Sequence, residues 1–251
     1  MTRTLITGSA DGLGQMLAQE LVAQGHEVVL HARNQQRARD ALAAVPGAAA
    51  ALVGDLASID ETRDLARQAN ESGRFEVVVH NAAVGYQEPW IETVDGLEHV
   101  FAINALAAYL LTALIDRPDR LIYLSSGMHL GGELVLDDLQ WVRRRWRGAQ
   151  AYSDSKLHDV LLTFAVARLW PEVEANAVDP GWVPTKMGGR GAPGDLGQAH
   201  LTQAWLATAT GVGSGGYYYH QQPHRTHPVA SDREAQEGFL EACASLTGVR
   251  L

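Results

Sequence analysis

Tyr152 and Lys156 stand four positions apart at the head of a run in which Leu157, Val160, Leu161, Phe164 and Leu169 recur at helical spacing. On a helix, positions i and i+4 share one face a turn apart, so the Lys156 ammonium can act on the Tyr152 phenol. A phenol with an ordinary pKa of about 10 is a poor base near neutrality, and an adjacent cation favours its phenolate. Taken alone, such a pair could equally be a helix-start aromatic beside a solvated lysine. Its neighbours in the chain must decide.

A second signal is Thr7-Gly8-Ser9-Ala10-Asp11-Gly12-Leu13-Gly14, set between the strand-like Thr4-Leu5-Ile6 and an apolar helical stretch, Met16 to Val22. A glycine-rich strand-to-helix turn aims free backbone N–H groups at a phosphate. Glycines also serve tight turns for packing reasons alone, but the position after the first strand favours nucleotide binding.

The elements that must hold these residues alternate. Thr4 to Ile6, Glu27 to His31, Ala50 to Val53, Val77 to His80, Leu121 to Leu124, Ala175 to Val178 and Gly216 to His220 read as seven strands separated by helical patterns. Ser58 with Glu61, and Ser231 with Glu234, have capping-box spacing. Leu97, Val100, Phe101, Leu106 and Leu110 mark a packed helix between Asp95 and Leu114. No repeat or linker divides the chain, so the expected fold is α/β: one Rossmann-like, doubly wound, mostly parallel seven-stranded sheet with helices on both faces, in a single domain over residues 1–251. Residues 127–150 read as an insertion, and 186–210, beginning with the glycine-rich run Gly188 to Gly194, as a substrate-side lid.

The glycine spacing here is Gly-x-x-x-Gly-x-Gly, and with Thr7 in front it resembles the short-chain dehydrogenase/reductase family. Four more motifs follow in order. Asn81-Ala82-Ala83 follows the fourth strand, Ser125-Ser126 ends the fifth, Tyr152-Ser153-Asp154-Ser155-Lys156 opens the long helix, and Pro180-Gly181-Trp182-Val183-Pro184-Thr185 closes the sixth strand. Ser126 and Tyr152 are 26 positions apart, a wider gap than in many members. That gap, with Asp137-Asp138-Leu139 before Tyr152 and Ser155-Lys156-Leu157 after it, resembles the retinol-dehydrogenase-like and protochlorophyllide-reductase-like branch. Its substrates tend to be apolar and bulky. His80 and Ala83 depart from the Asn-Asn-Ala-Gly pattern.

The resemblance implies that Tyr152 is the acid/base, Ser126 holds the substrate oxygen, Lys156 also binds the nicotinamide ribose, and Asn104 holds a water in the proton relay. Successive strand residues face opposite ways, so Ser125 is expected to be a packing residue. Cofactor contacts implied are Gly8, Ser9, Asp11, Gly12, Leu13 and Gly14 at the phosphates, and Asp55 and Leu56 at adenine. Asn81, Ala82, Ala83, Tyr152, Lys156, Pro180, Gly181, Val183 and Thr185 complete the implied contacts, with Thr185 and the Val183 backbone at the nicotinamide carboxamide. Strand two ends as His31-Ala32-Arg33-Asn34, with no acidic residue for a ribose 2′-hydroxyl, so Arg33 favours NADP(H) over NAD(H), and Asn34 beside it is a further cofactor contact. The expected function is an NADP(H)-dependent oxidoreductase transferring hydride between nicotinamide and a carbonyl or alcohol carbon. A non-catalytic NADP(H)-binding sensor or scaffold, or a C=C reductase, are the alternatives.

Composition narrows the rest. Twenty Lys and Arg against 29 Asp and Glu give a net charge of −9, the wrong sign for a general nucleic-acid binder. No apolar run is long enough to span a membrane, Met1-Thr2-Arg3 does not resemble a signal peptide, and Cys243 is alone, so a cytoplasmic protein with no membrane span is expected. His220, His224 and His227 match no metal template, and no metal site is assigned. Arg143 to Arg147 read as a solvated charged face. Trp182 is the tryptophan best placed for a substrate wall. The helices at 95–114 and 152–170 are where relatives pair into dimers or tetramers.

Overall fold

A computed structural model describes all residues 1–251. The expected strands appear as β1 (Arg3–Ile6), β2 (Glu27–Ala32), β3 (Ala50–Val53), β4 (Val77–His80), β5 (Arg120–Leu124), β6 (Glu174–Asp179) and β7 (Gly216–Tyr219). An eighth, β8 (Gln222–Pro223), completes a sheet of order β3-β2-β1-β4-β5-β6-β7-β8, antiparallel only at β7–β8. His220 and Gln221, with φ of 48° and 60°, form the turn between those two. Positive φ at both central positions is the tight hairpin geometry usually announced by Asn-Gly, so His-Gln gave no signal for it.

Helices cover both faces because the strands are apolar on both. On one side α1 (Gly12–Ala23), α2 (Gln35–Ala44) and α7 (Leu201–Thr208) bury Leu17, Leu21, Ala41, Leu206 and Ala207 against Ile6, Leu30 and Val79. A fully buried Leu or Val contributes roughly 1.5–3 kcal/mol. On the other side lie α3 (Ile59–Glu71), α4 (His99–Phe101), α5 (Ala107–Leu114), α6 (Gly148–Leu169) and α8 (Arg233–Thr247), over a larger core holding Leu65, Phe101, Tyr109, Leu161 and Phe239. Cys243 of α8 is fully buried there, and burial pushes its thiol well up. The segment expected to be a lid therefore contains α7, a core helix, after its first part.

Several local details differ from expectation. Between α4 and α5 the helix widens into a π turn, Ala102–Leu106, with the Ala107 N–H bonded to the Ala102 carbonyl. Asp232, not Ser231, caps α8, accepting from Glu234 N at 2.8 Å, because Ser231 ends a preceding 3₁₀ turn that begins at Pro228. At α3, Ser58 accepts the Glu61 N–H as expected, but the Glu61 carboxylate accepts from Asp55 N rather than closing a reciprocal box. The strand order reverses direction between β1 and β4, and the crevice outside their C-terminal ends is where ligands bind in such sheets.

Candidate active site

The glycine-rich turn after β1 is held by an exhausted set of hydrogen bonds. Thr7 Oγ1 accepts from Asn81 N and Ala82 N, each at 3.0 Å, while Asn81 Nδ2 donates to the Thr7 carbonyl at 2.8 Å. His31, buried in β2, accepts the Gly8 N–H on Nδ1 at 2.9 Å, and its Nε2 lies 2.8 Å from the Gly54 carbonyl, which fixes the tautomer. Ser9 Oγ accepts from His31 N and donates to the Ile6 carbonyl. Thr7 and His31 were missed as site residues; their side chains bond backbone groups of neighbouring strands and turns, and such contacts leave no spacing signature.

What this frame leaves open fits a phosphate group. Asp11 caps α1 in extended conformation without accepting a hydrogen bond from the helix, so the first N–H groups, at Gly12, Leu13 and Gly14, have no side-chain acceptor. A Cβ on Gly12, whose φ is +54°, would meet nothing within 4 Å, whereas one on Gly14 would lie 2.4 Å from Asn81 Nδ2. The turn thus presents bare helix-terminal amides to open space on one side and packs tightly on the other.

Asp11 turns its carboxylate outward, to Arg37 Nη2 at 3.1 Å and to Lys186 Nζ at 2.5 Å. Burial opposes its ionisation, yet these two cations together keep its carboxyl below the usual value. Arg33 is exposed at the end of β2, and Asn34 caps α2 by accepting the Arg37 N–H at 2.9 Å. Asn34 is thereby occupied, and Arg37, one turn on, is the cation facing the glycine-rich turn. Asp55 Oδ1 accepts from Ala57 N, while Leu56 is buried in the larger core. Ala83 is half-buried beside Ala82, on the same loop.

Across the crevice, α6 carries Tyr152 and Lys156, both buried. Lys156 Nζ donates to the Leu124 carbonyl at 2.6 Å and to Asp159 Oδ2 at 2.9 Å, and lies 5.7 Å from the Tyr152 ring centre. Burial works against the ammonium, but Asp159 holds it above its ordinary value; burial in turn pushes the Asp159 carboxyl up to about 6. At Tyr152 burial raises the phenol, and the Lys156 charge favours the phenolate as expected but does not overcome burial. Ser126 also lowers the phenol, and Asp159 and Asp179 raise it.

Three tethers fix α6. Ser125 Oγ donates to the Lys156 carbonyl at 2.8 Å, so Ser125 does more than pack. Asn104, in the π turn, donates from Nδ2 to Ser155 Oγ at 3.0 Å and accepts the Val84 N–H at 2.8 Å, which occupies its side chain in joining the loop after β4 to α6. The 127–150 insertion supplies the third, since Glu133 N and Arg144 both reach the Asp154 carboxylate. Arg144 also bonds buried Asp138 and stacks 3.9 Å over Trp141, so this member of the arginine run is an internal staple, while Arg145 and Arg147 are exposed. Ser126 Oγ accepts from Met128 N at 3.2 Å and caps the 3₁₀ turn Gly127–Gly131.

At the end of β6, Gly181 with φ +81° follows Pro180 and donates to Asp179 Oδ1. Val183 is buried, Thr185 Oγ1 accepts from Gly188 N, and Trp182, 60 % exposed, donates to the Gly188 carbonyl. Trp205 packs on Tyr218, away from this rim. His227 N donates to His129 Nε2, and His220 and His224 pack against Tyr219.

A crevice at the switch point of a doubly wound sheet, with bare amides on one wall and a Ser-Tyr-Lys group on the other, defines a nucleotide-dependent oxidoreductase class. The family model "short chain dehydrogenase" matches residues 2–193, and the chain belongs to that family. It is 44 % identical over 257 residues to an uncharacterized oxidoreductase of Emericella nidulans, covering 99 % of this chain and 98 % of that protein. It is 33 % identical over 198 residues to retinol dehydrogenase 13 of Homo sapiens, covering 73 % of this chain and 60 % of that one. A crystal structure of an uncharacterized protein from Mycobacterium paratuberculosis superposes with a TM-score of 0.88 at 25 % identity, over 100 % of this chain and 94 % of the other. The chain is an oxidoreductase of a family that binds a nicotinamide cofactor, and no helix is long and apolar enough to cross a membrane.

Proposed function

We propose that the protein is an NADP(H)-dependent oxidoreductase acting on a carbonyl or alcohol group, with Tyr152 as general acid/base. The observation that carries this reading is the Lys156 ammonium, pinned by Asp159 and the Leu124 carbonyl 5.7 Å from the Tyr152 ring. When bound, the cofactor supplies or accepts the hydride. Tyr152 gives the proton to the substrate oxygen in reduction and takes it back in oxidation, Ser126 orients that oxygen by hydrogen bonding, and Lys156 lowers the cost of the phenolate. Lys156 would also hold the nicotinamide ribose, and the amides of Gly12 to Gly14 the pyrophosphate. Arg33 and Arg37, with no carboxylate at the end of β2, complement a 2′-phosphate. The similarity to a retinol dehydrogenase supports an alcohol or aldehyde substrate class. A cytoplasmic setting belongs to the same reading and fits the lone, buried thiol.

The test is Tyr152→Phe. On a panel of ketones and aldehydes with NADPH, turnover followed at the reduced-nicotinamide absorbance band should fall about 10²–10⁴-fold while NADPH binding persists. Full activity in the variant removes Tyr152 from the mechanism, and cofactor binding by the parent without turnover on any panel member favours a sensor.

A further inference from the structure

Tyr217 of β7 is 3 % exposed, and its hydroxyl makes no hydrogen bond of ordinary geometry within the protein, although Ser125 and Asp179 stand close enough to act on it. Buried hydroxyls are nearly always paired, so an orphan beside a crevice points to a partner supplied from outside. Tyr217 pairs in register with Ala177, two residues before Asp179, so the Tyr217 and Asp179 side chains project from the same sheet face. Leu124 pairs with Val178, which puts Ser125 alongside Asp179 at the strand tips. Asp179 Oδ1 accepts the Gly181 N–H at 2.8 Å, while Oδ2 accepts nothing. That free oxygen would stand 3.0 Å from a Cβ on Gly127, the residue following Ser126, so glycine there leaves it uncovered. His129 packs on Tyr217 with ring centres 4.6 Å apart and planes tilted by 43°, but its Nδ1 is engaged with the Ser126 carbonyl and its Nε2 with His227 N, which makes it a wall rather than a contact.

We propose that Asp179 and Tyr217 form a second polar subsite that takes a substrate hydroxyl adjacent to the reacting carbonyl, so that hydroxy ketones and the corresponding diols are the preferred class. The substrate hydroxyl donates to Asp179 Oδ2 and accepts from the Tyr217 hydroxyl. The Asp179 charge acts on both Tyr152 and Tyr217, as expected if all three border one space. The same charge disfavours substrates bearing a carboxylate at this end. Naming the neighbouring carbonyl rests on the hydride-transfer reading above, whereas capture of the hydroxyl does not.

The experiment compares 2-hydroxyacetophenone with acetophenone, and hydroxyacetone with butanone, on NADPH-loaded protein, reading both kcat/KM and the rise in Tm on adding each ketone. The hydroxylated member of each pair should be preferred at least ten-fold. Tyr217→Phe, and Asp179→Asn, which retains Oδ1 for Gly181, should each cut that preference at least five-fold. Because the Tyr217 hydroxyl is unpaired, Tyr217→Phe should also leave the Tm of the ligand-free protein equal or higher. Turnover without discrimination overturns the subsite and leaves hydride transfer standing. Hydroxyl-selective binding that the variants lose, with no turnover, upholds the subsite and overturns hydride transfer to the neighbouring carbonyl. Absence of binding by either pair, preference retained in both variants, or a lowered Tm in Tyr217→Phe each overturn the subsite.

Discussion

Lys156 and Asp159 are both about 2–3 % exposed, and each is the other's only charged partner within bonding distance. Removing one member of a buried pair leaves an uncompensated charge and typically costs 3–5 kcal/mol. Asp159→Ala should therefore lose about that much in urea unfolding at pH 7, and a loss below about 1 kcal/mol would show that water enters to solvate the ammonium. His158 tells the opposite story. It lies between Phe101 and Phe239 with neither ring nitrogen bonded, and burial holds its pKa down to about 3. A base whose folded pKa lies below its unfolded value of about 6.5 contributes stability that is present above 6.5 and lost as pH falls toward the folded value. His158→Leu should gain stability at pH 7 by removing two unpaired nitrogens. Between pH 7 and pH 5 the variant's advantage should widen by roughly 2 kcal/mol, about 1.4 kcal/mol for each unit below 6.5. Parallel losses in both proteins would show that His158 is hydrated.

At the level of elements, the turn between β1 and α1 separates folding from binding within a few residues. Gly14→Ala forces a methyl to 2.4 Å from Asn81 Nδ2 and 2.7 Å from the Gly8 carbonyl, so it should unfold the turn and lower Tm markedly. Gly12→Ala meets no atom and bears only the strain of φ +54°, about 1–2 kcal/mol, but places its methyl where a pyrophosphate would approach. The expected result is a modest Tm loss with at least ten-fold weaker NADPH binding by titration; unchanged affinity would move the phosphates elsewhere. Elements of this kind were legible because their chemistry is local. Glycines at a strand end, an i, i+4 pair and alternating apolar runs give the sheet, the crevice and the opposed Tyr-Lys face. The π turn at Ala102–Leu106 was not legible, since its wider winding depends on what packs around it, and Asn104 within it was singled out only by the family resemblance. Nor was the role of Arg144, because only folding brings Asp138 and Asp154 to either side of it. The burial that opposes the Lys156 charge at the Tyr152 phenol was not legible for the same reason: sequence shows the neighbouring cation, but burial is a property of the fold.

For the molecule as a whole, one continuous sheet ties both walls of the crevice to a common base, so the opening depends on loops rather than on hinged domains. The contact that crosses it is Lys186 on Asp11, joining the segment after β6 to the glycine-rich turn. Lys186 is 83 % exposed, and an exposed pair contributes only about 0–1 kcal/mol. Lys186→Ala should therefore leave Tm within about 2 °C of the parent while raising the dissociation rate of NADPH in stopped-flow measurements. An unchanged rate would show that the bridge does not retain the cofactor.

Cys243, sealed in α8 beneath the larger core, gives the protein a native reporter. A thiol reagent such as Ellman's can reach that sulfur only through an opening that frees the C-terminal helix. Labelling kinetics in dilute denaturant would then time such excursions in the unaltered chain, with no engineered probe and no second cysteine to confuse the signal.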